Sequence, residues 1–127
     1  IGKEVEKALK EGIYDTDIQI NEFTVAPQIN PSNGLPFHEW FIEFDGDSIE
    51  LSELEDRIDL ALQKQNSYYF DLISGQVLRP LKITKVRKNG FQRYMKSVGK
   101  LGGQNKIPRL SNDRLIANKL HELGLTK

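Results

Sequence analysis

A chain of 127 residues fits one compact domain around one core and leaves no room for several separate ligand-binding domains. It contains no cysteine, which excludes disulfide scaffolds and thiolate metal sites, and no apolar run approaches the length of a membrane span. The formal net charge is zero, yet residues 1–78 carry five Lys/Arg against sixteen Asp/Glu, and residues 79–114 carry eleven Lys/Arg against Asp113 alone.

Residues 2–11 read as a short helix with Val5, Ala8 and Leu9 on one face, ended by Gly12. Residues 18–29 alternate apolar and polar side chains, with a phase slip between Ile20 and Phe23 that predicts a bulge or bend. Residues 30–36 are dense in turn formers. Residues 37–44 form the next strand, with Trp40, Ile42 and Phe44 on one face and Glu39, Phe41 and Glu43 on the other. These two runs are expected to pair as an antiparallel hairpin. Ser52 and Glu55 make a capping-box pattern before a helix whose stripe is Leu54, Ile58, Ala61 and Leu62, ending near Asn66. Residues 77–86 read as a third strand, with Pro80 placing it at an edge or marking its start. Residues 91–98 repeat Phe91, Tyr94, Met95 and Val98 at helical spacing. A loop rich in Gly and Lys follows to Pro108. Ser111 is a candidate cap for a last helix with Leu115, Ile116, Leu120 and Leu123 on its stripe, stopped at Gly124. The order α-β-β-α-β-α-α predicts a single α+β domain over residues 1–127, two layers deep, with a small, mainly antiparallel sheet covered by helices.

The stretch from Lys100 to Leu110 carries the chemistry. Gly102 and Gly103 permit backbone conformations that bulkier residues resist, and their N–H groups suit an anion nest. Gln104 lies in the polar spacer that follows. Lys106 then reaches out as a point charge, Pro108 stiffens the exit and Arg109 adds a planar donor fork. On the pattern alone, a mobile, solvated basic loop is the favoured reading, since Gly/Lys loops are common and this is neither a P-loop nor a dinucleotide fingerprint. His38 and Glu39 are neighbours on a strand and point to opposite faces, so they make no dyad. Trp40 reads as core. Glu50, Glu53, Glu55, Asp56 and Asp59 lie mostly at the start of a helix, where acids suit the macrodipole without converging on a metal. Tyr68 and Tyr69 read as packing against the sheet. His38 and His121 make no zinc site by themselves.

The string Phe37-His38-Glu39-Trp40-Phe41-Ile42-Glu43-Phe44 resembles the His-Glu/Gln-Trp-Leu-Ile-Glu-Phe strand of bacterial relatives of the plant auxin-responsive acyl-acid amido synthetases. Phe23-Thr24-Val25-Ala26-Pro27 looks like the strand before it. Leu60 through Tyr69 resembles the helix exit there. Residues 99–113 match the family's C-terminal signature almost without a break. Phe70-Asp71-Leu72-Ile73 departs from the family, whose exit after the tyrosine is basic. The resemblance implies a C-terminal lid domain of an adenylate-forming enzyme. A large N-terminal domain of the same polypeptide would bind ATP with Mg2+ and the acyl acid. The acyl-adenylate would then pass its acyl group to an amino acid amine. Lys106 would be the catalytic lid lysine that reaches the nucleotide phosphate, with Lys100, Gly102, Gly103, Gln104 and Arg109 around the nucleotide. By the same reading, the isolated domain holds no cofactor, and neither nucleic acid nor membrane is a partner. The opening at Ile1 reads as a fragment or processed product, and the absence of a signal pattern leads us to expect the cytoplasm. The competing class is a basic nucleic-acid-binding module built on residues 79–114, or a protein interaction module without a ligand.

Overall fold

The structure is a computed structural model that describes residues 2–102 and 105–126. Eight elements follow in order: α1 (Gly2–Ile13), β1 (Gln19–Gln28), β2 (Phe37–Asp45), α2 (Leu51–Gln65), α3 (Ser67–Ser74), β3 (Lys82–Lys85), α4 (Gly90–Ser97) and α5 (Leu115–Glu122). The sheet order is β1-β2-β3. β1 and β2 pair antiparallel, with a register shift between Ile20 and Glu22 where the alternation slips. β3 adds parallel to β2, so the sheet is mixed and the architecture is α+β.

Both faces of the sheet are covered, which goes beyond the two-layer expectation. Trp40 and Ile42 join Val5 and Leu9 of α1 and Leu54, Ile58 and Leu62 of α2 in one core cluster. Phe41 points the other way, into a second cluster with Phe91 and Met95 of α4, Ala117 and Leu120 of α5, and Ile107. Trp40, Phe41 and Ile42 are all fully buried. Each such side chain contributes roughly 1.5–3 kcal/mol by leaving water, so the middle of β2 anchors both halves of the domain.

Gly12 lies inside α1 and does not stop it. A Cβ there would meet Ile58 Cγ1 at 2.4 Å, so the glycine permits the close approach of α1 and α2. The carbonyls of Gly12 and Tyr14 accept hydrogen bonds from Arg57 at 2.7 Å and 2.6 Å. The Ser52–Glu55 capping box does not form. α2 begins after Glu50 with no side-chain cap, so Ser52 lies inside the helix and not at its cap, and Glu55 is used elsewhere. Its carboxylate accepts the Ile83 N–H at 2.8 Å, and Asp59 accepts the Leu81 N–H at 3.1 Å. Residues four apart on a helix rise about 6 Å, close to the roughly 6.6 Å between alternate strand residues. Two acids of α2 therefore satisfy amides along the outer side of the segment that leads into and forms β3.

Asn66 ends α2 and also starts α3. Its side-chain oxygen accepts the Tyr69 N–H at 2.9 Å, and its amide donates to Glu4 at 2.9 Å. Only the first of these roles is visible in the sequence, so α3 is an element beyond the expected order. β3 is shorter than the expected residues 77–86, because the Val77 and Leu78 amides bond back to Leu72 O and Pro80 has no amide to give. Ser111 does not cap α5. Its amide bonds to Val25 O at 2.8 Å, and Asp113 accepts the Leu115 N–H at 3.0 Å instead.

Tyr69 is buried and donates its hydroxyl to Asp59, while Tyr68 is exposed. The His38 ring stacks on Tyr69 at 5.6 Å between centroids. Burial pushes the His38 imidazole below its ordinary value of 6.5, and the Asp59 carboxylate offsets part of that shift. A histidine with a lowered folded pKa keeps its full stabilising effect above the unfolded value. It loses that effect as pH falls, because the unfolded chain takes up the proton first. The urea midpoint is therefore expected to drop as pH falls from about 6.5 towards 5, and His38→Phe should flatten that part of the profile. Parallel profiles for the two proteins would acquit His38.

Candidate functional site

The lysine-bearing loop leaves α4 through a tight turn. The Lys100 amide bonds to Met95 O at 2.8 Å and the Gly99 amide to Lys96 O at 3.1 Å. Gly102 adopts φ +86°, and a Cβ there would meet nothing within 4 Å. The glycine is needed for its dihedral and not for space. Asn105 donates to Gly102 O at 3.4 Å. Gly103 and Gln104 lie outside the described residues.

On its far side the loop is fastened to β1. Ile107 is only 6% exposed, within the second core cluster. The fully buried Thr24 donates its hydroxyl to Pro108 O at 2.6 Å. The Val25 amide bonds to Arg109 O at 3.0 Å, and Val25 bridges Leu110 in parallel. Residues 107–111 thus run along the side of β1 opposite β2. Lys106 sits at the boundary between this fastened stem and the loop, with its side chain exposed.

Lys106, Leu101 and Gly102 line a cleft of about 520 Å³. Its other walls include Asn21 and Glu22 of β1, Glu43 and Asp45 of β2, and Lys88 with Asn89 at the start of α4. Phe91, Met95 and Ile107 supply apolar lining. Glu43 accepts the Asn89 N–H at 2.9 Å and the Phe91 N–H at 3.3 Å, so it caps α4.

The expected site residues separate into two groups. Lys100, Gly102 and Lys106 lie together on the exposed loop. Among the described residues, neither lysine makes a salt bridge. Arg109 points elsewhere. It pairs with Glu22, donates to Phe23 O at 3.2 Å, lies 3.7 Å from Glu6 and sits 4.5 Å over the Phe23 ring. Of the eleven basic residues in 79–114, eight are exposed; Arg109 and Arg114 pair with acids of the first half. Most of the basic stretch is therefore open to an anionic partner.

His38 and Glu39 do face opposite sides. Glu39 is buried, accepts from Arg114 at 2.7 Å and from Thr84, and lies 3.6 Å from His121 Nε2. The contacts of Thr24 and the cleft wall formed by Glu22 and Lys88 were missed in the sequence. They depend on pairings across 80 or more residues in the first case and on the turn before α4 in the second. Among the described residues, no group of three or more His, Asp or Glu side chains converges on a metal position, and no helix is long and apolar enough to cross a membrane.

The fold and its loop define a small α+β domain that presents a lysine at the rim of an open cleft. The model described as the GH3 family C-terminal domain matches residues 3–115. The chain belongs to the GH3 family, as its C-terminal domain. It is similar in fold to a solved structure of GH3.15 acyl acid amido synthetase, with a TM-score of 0.73 and 17% identity over 98% of this chain and 24% of that one. AtGH3.15 acyl acid amido synthetase in complex with 2,4-DB gives a TM-score of 0.74 at 15% identity, over 98% of this chain and 23% of that one. The chain spans about a quarter of the length of these two structures. No curated protein shows a significant match.

Proposed function

We propose that this domain is the lid of an ATP-dependent acyl acid amido synthetase, closing over a nucleotide held by an N-terminal domain of the same polypeptide. The reading is carried by Lys106, exposed on the cleft rim at the end of a stem fastened to β1. Family membership supports it. ATP would supply the adenylyl group that activates a carboxylic acid, with pyrophosphate as the leaving group. Lys106 and Lys100 suit its phosphates, as exposed cations without salt bridges among the described residues. The backbone of Gly102 would lie close to the same phosphates.

No step is assigned to magnesium in this domain. Lys106 stabilises negative charge on the phosphoryl oxygens as the carboxylate attacks. Carrying it on a lid ties that stabilisation to closure, and closure keeps water from a hydrolysable adenylate. The amino acid amine then attacks the acyl carbon and takes the acyl group, releasing AMP, and the domain would lie over the N-terminal domain differently in that half-reaction.

Acid-dependent exchange of pyrophosphate into ATP tests the reading. A full-length protein carrying this domain should catalyse it with some member of a carboxylic acid panel. Truncation just before residue 2 should bring exchange to background, and the 127-residue chain alone should stay there. Unchanged exchange in the truncated protein would sink the lid proposal.

A further inference from the structure

We infer that Thr24 and Arg109 are positioning residues for Lys106, holding the stem of its loop in one place beside the cleft. The inference rests on Lys106 acting on a phosphate, as proposed above. Lys106 is flanked by two kinds of structure. On one side lies a loop whose described residues, 99–102 and 105, fall outside regular secondary structure. On the other, each residue of the stem has its own anchor in β1 or in the core.

The anchors are specific. Ile107 plugs into the second core cluster. The Pro108 carbonyl takes the Thr24 hydroxyl at 2.6 Å, across 84 positions of sequence. The Arg109 carbonyl takes the Val25 amide, and the Ser111 amide returns to the Val25 carbonyl. The Arg109 side chain folds back over Phe23, pairs with Glu22 and reaches Glu6 of α1. The loop stem, β1 and the first helix are thereby joined through one guanidinium. Glu22 itself lines the cleft beside Lys106.

Thr24 is the more specific of the two anchors. It is a fully buried polar side chain on a strand, where a valine of the same shape would pack as well. Among the described residues its hydroxyl has one use, which is to fix a carbonyl two residues from Lys106. A point charge acts on a transferring phosphoryl group only from the correct place, and a displacement of about 1 Å can cost about a hundredfold in rate. A stem that drifts would leave the lysine present but misplaced.

The test compares Thr24→Val, which removes the hydroxyl and keeps the shape, with Thr24→Ser, which restores it. In the 127-residue chain, Thr24→Val should speed hydrogen exchange at the Val25 and Ser111 amides about tenfold, with the amides of α2 unchanged. Thr24→Ser should exchange as wild type. In the full-length protein, Thr24→Val should lower the adenylation rate about tenfold with the KM for ATP within about twofold. That penalty should vanish in a Lys106→Ala background, because two changes acting through one group are not additive. Wild-type exchange in Thr24→Val, or an undiminished penalty in the double variant, overturns the inference. Should Thr24→Val fail to fold, Arg109→Gln is read by the same exchange and double-variant criteria. If Lys106→Ala leaves adenylation untouched, the phosphate role fails, and the positioning role falls with it even where the exchange data show the stem anchored.

Discussion

Replacing Lys106 with alanine in a full-length protein carrying this domain should slow acyl-adenylate formation about a hundredfold or more, by analogy with the loss of one transition-state donor. The size follows from charge. A lysine about 4 Å from a phosphoryl oxygen, at an effective dielectric near 20, gives roughly 4 kcal/mol of raw attraction. Even if about two-thirds of that is specific to the transition state, it amounts to two orders of magnitude, at about 1.4 kcal/mol for each factor of ten. The domain should stay folded, because the side chain is exposed and makes no salt bridge among the described residues; the stability change should be within about 0.5 kcal/mol. Acyl transfer from a pre-made adenylate should suffer less, since the lid is proposed to move between steps. Single-turnover measurement of each half-reaction separates the two. Equal adenylation rates in wild type and Lys106→Ala would remove Lys106 from the mechanism.

The parts of the fold that were legible in the sequence are those set by local periodicity. Trp40, Ile42 and Phe44 alternate with Phe41 and Glu43, and β2 follows. The slip after Ile20 marks the bulge opposite Glu43 and Phe44. What was not legible depends on partners distant in sequence. Glu55 looks like a capping residue until the Ile83 amide arrives to claim it. Asn66 looks like an end until Tyr69 shows that it is also a beginning. Phe41 and Ala26 on the second face of the sheet gave no hint of α4 and α5 packing there, because a short apolar run reads the same whether one face is covered or both.

The site divides the same way. The glycines and lysines of residues 99–106 advertise a loop for anions. Arg109, from the same signature, reads as one more anion contact, and in the fold its donors face Glu22, Glu6 and Phe23. The charge division between the two halves of the chain is thus resolved in two ways. Arg109 and Arg114 knit the halves together, and eight exposed cations remain directed outward.

The largest expected effect on stability belongs to Asp59. Its side chain is 4% exposed and accepts three hydrogen bonds, from the Tyr69 hydroxyl, from Gln63 at 2.7 Å and from the Leu81 amide at 3.1 Å. These tie α2 to α3 and to the segment entering β3. In Asp59→Ala, Gln63 can turn to water, but the Tyr69 hydroxyl and the Leu81 amide are left buried without an acceptor. Each such orphan costs about 1–3 kcal/mol. Part of that is offset because the buried carboxylate no longer has to be desolvated. The net loss should be about 3 kcal/mol, or a fall in Tm on the order of 10 °C for a domain of this size. Tyr69→Phe should cost less, about 1–2 kcal/mol, because Asp59 keeps its other two donors. Urea unfolding of the wild type, the two single variants and the double variant measures both losses and their coupling. The double variant should lose less than the sum of the singles, since removing both partners leaves one orphan fewer. Strict additivity, or a smaller loss for Asp59→Ala than for Tyr69→Phe, would mean that packing alone holds α3 in place.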